Sequence, residues 1–255
     1  MRTVEKKFHG GRQLKSAALT DIGRKRAINQ DYIYRSDEEV GRLPSLYIVA
    51  DGMGGHKAGD YASRFCVEEF LKKAKEGRYK SLLGGLGSII GSVNERVYEE
   101  AKKDISLNGM GTTLVAAVVG DDTVTVANVG DSRLYILFSD EGLKQITVDH
   151  SLVESLIRHG DLDRKEAAHH PKKNVITRAI GVEAYVEPDF FEVEVKKEDI
   201  ILLCSDGLTN MVDDERICAC LRNKGLTLEE KVKELVRQAN EAGGKDNISV
   251  VLIEI

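Results

Sequence analysis

Three continuous apolar runs in this chain each stop at, or start from, an aspartate, and that arrangement limits what it can fold into. Leu46-Tyr47-Ile48-Val49-Ala50 runs into Asp51-Gly52-Met53-Gly54-Gly55. Ile200 to Cys204 runs into Ser205-Asp206-Gly207, and Ile248 to Ile253 begins just after Lys245-Asp246-Asn247. Short apolar runs rich in strand formers and bounded by Gly, Asn and Asp read as buried strands. A carboxylate therefore recurs at the ends of buried strands.

The segments between these runs have other periods. Ala62, Phe65, Cys66, Phe70 and Ala74 recur at helical spacing, as do Leu82, Leu86, Ile89, Ile90, Val93 and Val97, the second helix being weakened by Gly84, Gly85, Gly87 and Gly91. Thr112 to Val119, Thr123 to Val129 and Arg133 to Phe138 are three β-rich runs parted by Gly-Asp turns, which predict an antiparallel meander. Leu228, Val232, Leu235, Val236 and Ala239 mark a further amphipathic helix. Strands in runs and helices in runs predict an α+β fold, a β-sandwich of two antiparallel sheets with helices on the outer faces.

With only three prolines, no low-complexity tract and no linker, the 255 residues are expected to form a single domain, 1–255. A net charge of -5 spread over 31% charged residues argues against a constitutive hold on nucleic acid or anionic membrane. The first ten residues carry no apolar leader, and no window approaches the roughly 20 apolar residues of a membrane helix, so a cytoplasmic protein is expected, and it is read as a monomer. Cys66, Cys204, Cys218 and Cys220 fall inside apolar periodic segments and read as buried thiols. Cys204 lies in an apolar strand with no basic loop around it, which argues for packing over nucleophilic chemistry.

Asp31, Asp51, Asp131, Asp206 and Asp246 all fall at or near strand ends. Any one of them alone is an ordinary turn residue. Strands ending at one edge of a sandwich would bring the five together, where uncompensated like charges cost several kcal/mol unless protonated or bridged by a cation. With oxygen donors only and no His or Cys at ligand spacing, the expected ions are Mg²⁺ or Mn²⁺. Two such ions about 3.5–4 Å apart activate a water and clamp a phosphoryl oxygen.

The ordered set Thr20-Asp21-Ile22-Gly23, Arg26, Asn29-Gln30-Asp31, Val49 to His56, Gly111-Thr112-Thr113, Asn128 to Arg133, Val175 to Gly181, Ser205 to Leu208 and Lys245 to Ser249 resembles the bacterial type 2C, metal-dependent serine/threonine protein phosphatases from about residue 19 to 253. The resemblance implies a two-metal centre at one end of the sandwich. Asp51 would bridge both ions, the Gly52 carbonyl would hold one, Asp31 would act mainly through water, and Asp206 and Asp246 would hold the other. Asp131 matches the ligand of a weaker third ion, and Arg26 the arginine that grips substrate phosphate. Residues 140 to 185 correspond to the family's variable flap beside the site. Gln30 and Met53 depart from animal relatives, which carry Glu and His there, leaving His56 either as general acid or as a residue that orders the glycine-rich loop. The other five histidines read as structural or surface, with His169 and His170 in an exposed loop.

The expected activity is direct hydrolysis of phosphoserine and phosphothreonine on proteins by a water held between the metals, opposing a Ser/Thr kinase. The alternatives are a pseudophosphatase that binds phosphoproteins without turnover, and a phosphatase dedicated to a phosphoserine antagonist in a stress-sigma-factor switch. Loss of metal aspartates marks the first, and here all are retained.

Overall fold

The computed structural model describes residues 14–54, 58–167 and 170–255. His56 and His169 therefore lie outside the described residues. Two antiparallel sheets form the centre. The first runs in the order β1 (Lys15–Asp21), β11 (Ile248–Glu254), β10 (Ile200–Cys204), β7 (Arg133–Phe138) and β8 (Gly142–Gln145). The second runs β2 (Asp31–Ser36), β3 (Leu46–Met53), β5 (Leu114–Val119), β6 (Thr123–Val129) and β9 (Asp189–Glu194), with the short β4 (Gly111–Thr112) beside β3.

Helices close both outer faces. Against the second sheet lie α1 (Ala58–Glu76) and α2 (Leu82–Lys103); against the first lie α5 (Asp206–Thr209), α6 (Asp214–Arg222) and α7 (Leu228–Glu241). The remaining helices, α3 (Leu152–His159) and α4 (Arg164–Ala167), belong to the 140–185 segment.

Layering explains the unbroken apolar runs. Alternate side chains of one strand enter different cores: Tyr47 and Val49 meet Leu134, Ile136, Ile201, Leu203 and Val251 between the sheets. Ile48 and Ala50 face Cys66, Phe70, Leu86 and Ile90 of the helices instead. On the other sheet Leu202, Cys204 and Val250 face Ile217, Leu235 and Val236. No apolar residue of Leu46 to Ala50, Ile200 to Cys204 or Ile248 to Ile253 reaches water, so alternation disappears from the sequence. The α+β sandwich, both early helices and the late amphipathic helix stand as expected.

The meander requires correction. β5 and β6 form a hairpin, Leu114 opposite Val129, but β7 pairs with β10 in the other sheet. Gly130-Asp131-Ser132 is therefore a crossover between sheets, with Gly130 at a φ of 108°. All three runs are apolar because β5, β6 and β7 are covered on both faces, so hydrophobicity alone does not tell a hairpin from a change of sheet. The crossover carries Asp131 to the sandwich end where β3 and β10 also stop. Cys66, Cys204 and Cys220 are buried free thiols and Cys218 is half-buried; burial pushes the Cys204 thiol up to about 12, which suits packing.

Ile136 is fully buried between the sheets. Ile136→Ala should lower the urea-unfolding free energy by about 2–5 kcal/mol. A loss under about 1 kcal/mol would mean that the inter-sheet core is less tightly filled than its burial indicates.

Candidate metal centre

Strand register begins the site. Asp31, at the start of β2, is the direct cross-strand partner of Asp51 in β3. Cross-strand neighbours of like charge are destabilising, yet the surrounding bonds hold this pair in place. The Asp51 N–H donates to Thr113 Oγ1 (2.9 Å), and the Thr113 N–H donates to the Asp51 carbonyl (2.8 Å). Asp31 is buried, and one of its oxygens accepts from Ser205 Oγ at 2.7 Å. Ser205 in turn accepts from the Ser249 N–H at 3.0 Å, so β2, β10 and β11 converge on one carboxylate. Gly52 donates its N–H to the Gln30 carbonyl (3.0 Å), and its own carbonyl faces Gly59 in the first turn of α1.

Asp206 opens α5, where its Oδ2 accepts from Asn210 at 2.9 Å. A Cβ on Gly207 would come 1.8 Å from the Asn247 carbonyl, so glycine permits α5 to press onto the loop that holds Asp246. Asn247 is the staple of that loop. Its Nδ2 donates to the carbonyls of Ile22 and Ile28, both at 3.0 Å, and its Oδ1 accepts from the Gln30 N–H at 2.8 Å. The 22–30 segment is thereby laid beside Asp246, and Arg26 donates to Asp246 Oδ2 at 2.7 Å. Half of the Arg26 side chain remains in solvent, with 48% exposure. Lys25 and Arg24 are exposed, as a solvated turn requires.

Electrostatics bind the five aspartates into one unit. Burial, followed by the charges of Asp31, Asp206, Asp131 and Asp246, holds the Asp51 carboxyl well above the usual range. Burial chiefly pushes Asp31 up to about 7, against the hydrogen bonds of Ser249 and Ser205. Asp131 rises to about 8 through burial and then the charge of Asp206, and Asp206 rises to about 6 through burial and then Asp246. Asp31 Oδ1 and Asp206 Oδ1 are buried with no hydrogen-bond partner. Buried polar atoms in native proteins are nearly always satisfied, so two orphaned carboxylate oxygens among raised carboxyls mark a place for a cation.

The donor set suits a hard ion: every candidate ligand is oxygen. Among the described residues no three acidic, imidazole or thiol side chains converge as a ready-made cage. Mg²⁺-type sites use one or two carboxylates and keep several waters, which fits this looser ring better than a closed zinc site.

A cleft of about 600 Å³ opens beside Asp131 and Asp206, its far wall formed by Ser151, Glu154 and Ile157 of the 140–185 segment. Arg133 crosses its floor in a two-pronged pair with Asp149, with Nε to Oδ1 at 2.9 Å and Nη2 to Oδ2 at 2.7 Å. Sequence reasoning missed several participants. His150 is buried and receives the Gly130 N–H on Nδ1 at 3.0 Å. Its pKa falls, chiefly through burial. Asp189 lies 3.2 Å from the ring's Nε2 and accepts from Arg178 at 2.8 Å. Burial of Asp189 is outweighed by its bonds from His150 and Arg178, which hold its carboxyl below the usual range. His170, half-buried, accepts the Lys172 N–H on Nδ1 at 3.1 Å. Asn247 and Ser205 adjoined the motif aspartates, a signal that was available; nothing local linked His150 to Asp189.

Comparison with known proteins gives a consistent result. The family model described as Protein phosphatase 2C matches residues 23–252. The serine/threonine phosphatase stp of Listeria innocua is 43% identical over 241 residues, covering 92% of this chain and 93% of its own length. The solved serine/threonine phosphatase of S. agalactiae has a TM-score of 0.87 at 38% identity, covering 95% of this chain and 99% of that one. The catalytic domain of the phosphatase PstP, solved in complex with two manganese ions, has a TM-score of 0.82 at 33% identity over 94% of this chain and 97% of that one. With strand ends, carboxylates and close relatives all in agreement, the chain belongs to the protein phosphatase 2C family and is a protein serine/threonine phosphatase.

Proposed function

We propose that this phosphatase is a single catalytic domain, 1–255, whose activity requires two divalent ions, Mn²⁺ or Mg²⁺. In this reading Asp51, the Gly52 carbonyl and Asp31 would hold one ion, Asp51 with Asp206 and Asp246 would hold the other, and Asp131 would hold a weaker third. The observation that carries it is the ring of raised carboxyls with orphaned oxygens on Asp31 and Asp206. The two manganese ions of the PstP catalytic domain add support. Bound ions would supply an activated water and neutralise phosphoryl charge.

The chain's own part is positioning. Arg26, held on Asp246 at one side and open to solvent on the other, receives the phosphate oxygens of substrate as a planar, two-pronged donor. The cleft beside Asp131 takes the polypeptide around the phosphoresidue. The substrates are phosphoserine and phosphothreonine proteins, among them an opposing Ser/Thr kinase, and the working form is a cytoplasmic monomer. No helix among the described residues is long and apolar enough to cross a membrane. His56 is proposed either to protonate the leaving alkoxide or to order the glycine-rich loop. A binding module without turnover is disfavoured because no metal aspartate has been lost.

Chelation should abolish hydrolysis of a phosphothreonine peptide and added Mn²⁺ should restore it. Asp206→Asn should cut kcat at saturating Mn²⁺ by about 10²-fold or more without unfolding the protein. Full turnover in EDTA, or near-normal turnover of Asp206→Asn, would refute the ligand assignment.

The raised carboxyls set a pH dependence. Their folded pKa values, about 6 for Asp206, about 7 for Asp31 and about 8 for Asp131, exceed the ordinary 3.8. Protonation therefore favours the folded state, and that stability is lost as pH rises from about 4 to about 8. Metal-free Tm should fall across this window, and saturating Mn²⁺ should flatten the fall, since the ion replaces protons. A flat metal-free profile in calorimetry would contradict it.

Arg26→Ala should reduce kcat/KM for a phosphopeptide and leave Mn²⁺ affinity undiminished. Because the side chain is 48% exposed, the loss should be about 1–2 kcal/mol, at the low end for a charged hydrogen bond. A weakened Mn²⁺ titration with unchanged kcat/KM would instead make Arg26 a support of the metal site.

A further inference from the structure

The 140–185 segment leaves the core at His150 and rejoins it at β9, and both junctions meet at one point. The His150 N–H donates to the Gly130 carbonyl at 3.0 Å, and the Gly130 N–H donates back to the ring Nδ1 at 3.0 Å. With Nδ1 accepting, the neutral ring carries its proton on Nε2. That nitrogen faces Asp189 Oδ2, the first residue of β9, at 3.2 Å. Arg178 donates to Asp189 Oδ1 and to the Glu187 carbonyl, both at 2.8 Å. Its Nη1 also lies 3.0 Å from Nε2, but both atoms are donors, so Asp189 holds the two together. The Thr177 N–H donates to the His150 carbonyl at 2.8 Å, and Leu152 donates to the Val175 carbonyl at 2.9 Å.

One buried imidazole thus touches the crossover that carries Asp131, the exit of the flap and, through Asp189, its return. We propose that His150 is a positioning residue, clamping the base of the flap to the Gly130-Asp131 crossover and so setting the flap wall of the substrate cleft against the metal-bearing edge. A closed base also removes conformational freedom from the long excursion it spans. The clamp rests on the proposed role of the cleft in holding phosphoprotein, since a small aryl phosphate needs the metal edge alone.

Three full-length variants divide the clamp. His150→Leu removes both ring bonds at similar volume. His150→Asn keeps an acceptor for Gly130 and loses the arm to Asp189. Arg178→Met loosens the flap side without touching the crossover. Circular dichroism should show all three folded, and Arg178→Met still tests the flap half if His150→Leu does not fold. In hydrogen exchange of the Mn²⁺-supplied enzyme, the Leu152 and Thr177 amides should exchange about tenfold faster in each variant. The Gly130 amide should quicken only in His150→Leu. KM for a phosphothreonine peptide should rise about tenfold, with kcat on p-nitrophenyl phosphate changed less than about twofold. Unchanged flap exchange in the folded variants, or equal losses on both substrates, would overturn the clamp. Wild-type protein that hydrolyses neither substrate would overturn the phosphatase reading of the cleft, while the exchange data would still judge the clamp.

Discussion

Five carboxylates share one end of this sandwich, and much else in the molecule serves to hold them where they repel one another. Left alone, such groups would separate or stay protonated. They do not separate because each is part of, or directly adjoins, a strand of the two sheets or the helix that follows one, so that moving it would disturb the packing of that element. Asp51 stands at the end of β3, whose Ile48 and Val49 pack into different layers. Asp206 stands where β10 gives way to α5. Repulsion is concentrated at the one edge where an outside cation can relieve it.

Polar contacts then adjust the ring. Ser205 and Ser249 stand behind Asp31, the Ser249 N–H donating to Ser205 Oγ at 3.0 Å and Ser249 Oγ donating to Thr20 Oγ1 at 2.8 Å. Thr113 holds the backbone of Asp51 and bonds Ser132 Oγ at 2.7 Å, beside Asp131. These neutral hydroxyls orient carboxylates without neutralising them, so the charge stays available for a ligand. A lysine in Ser205's place would bring its own cation to the site instead.

The legible part of the site was the part that is local in sequence. Asp51, Asp206 and Asp246 stood out because each adjoins an apolar run, and the physical reason is plain: a buried strand that ends in a charge has reached solvent or a ligand. Asp31 and Asp131 were harder, since β2 is only half-buried and the crossover resembled a hairpin turn. Hydrophobic pattern reports burial and says nothing of which sheet does the burying, so the change of sheet after Gly130 was invisible. His150 was lost for a related cause. Its partners Gly130, Arg178 and Asp189 lie 20 to 39 positions away, and no periodicity spans such distances. Arg26 was legible by position, yet its bond to Asp246 appears only once Asn247 has drawn the two loops together.

The placement of β11 bears on how the molecule comes into being. This strand is the last in the chain order, yet it lies inside its sheet, between β1 and β10. During synthesis, Lys15–Asp21 has no β11 to pair with until residues 248–254 have left the ribosome. Asp246 arrives just ahead of that strand, and Ser249 reaches Ser205 and Thr20 as part of it. A chain that stops short of residue 246 thus lacks both the strand that pairs with β1 and the fifth carboxylate. The pairing that seats β11 between β1 and β10 also draws Asp246 to the edge that holds Asp206 and Asp51.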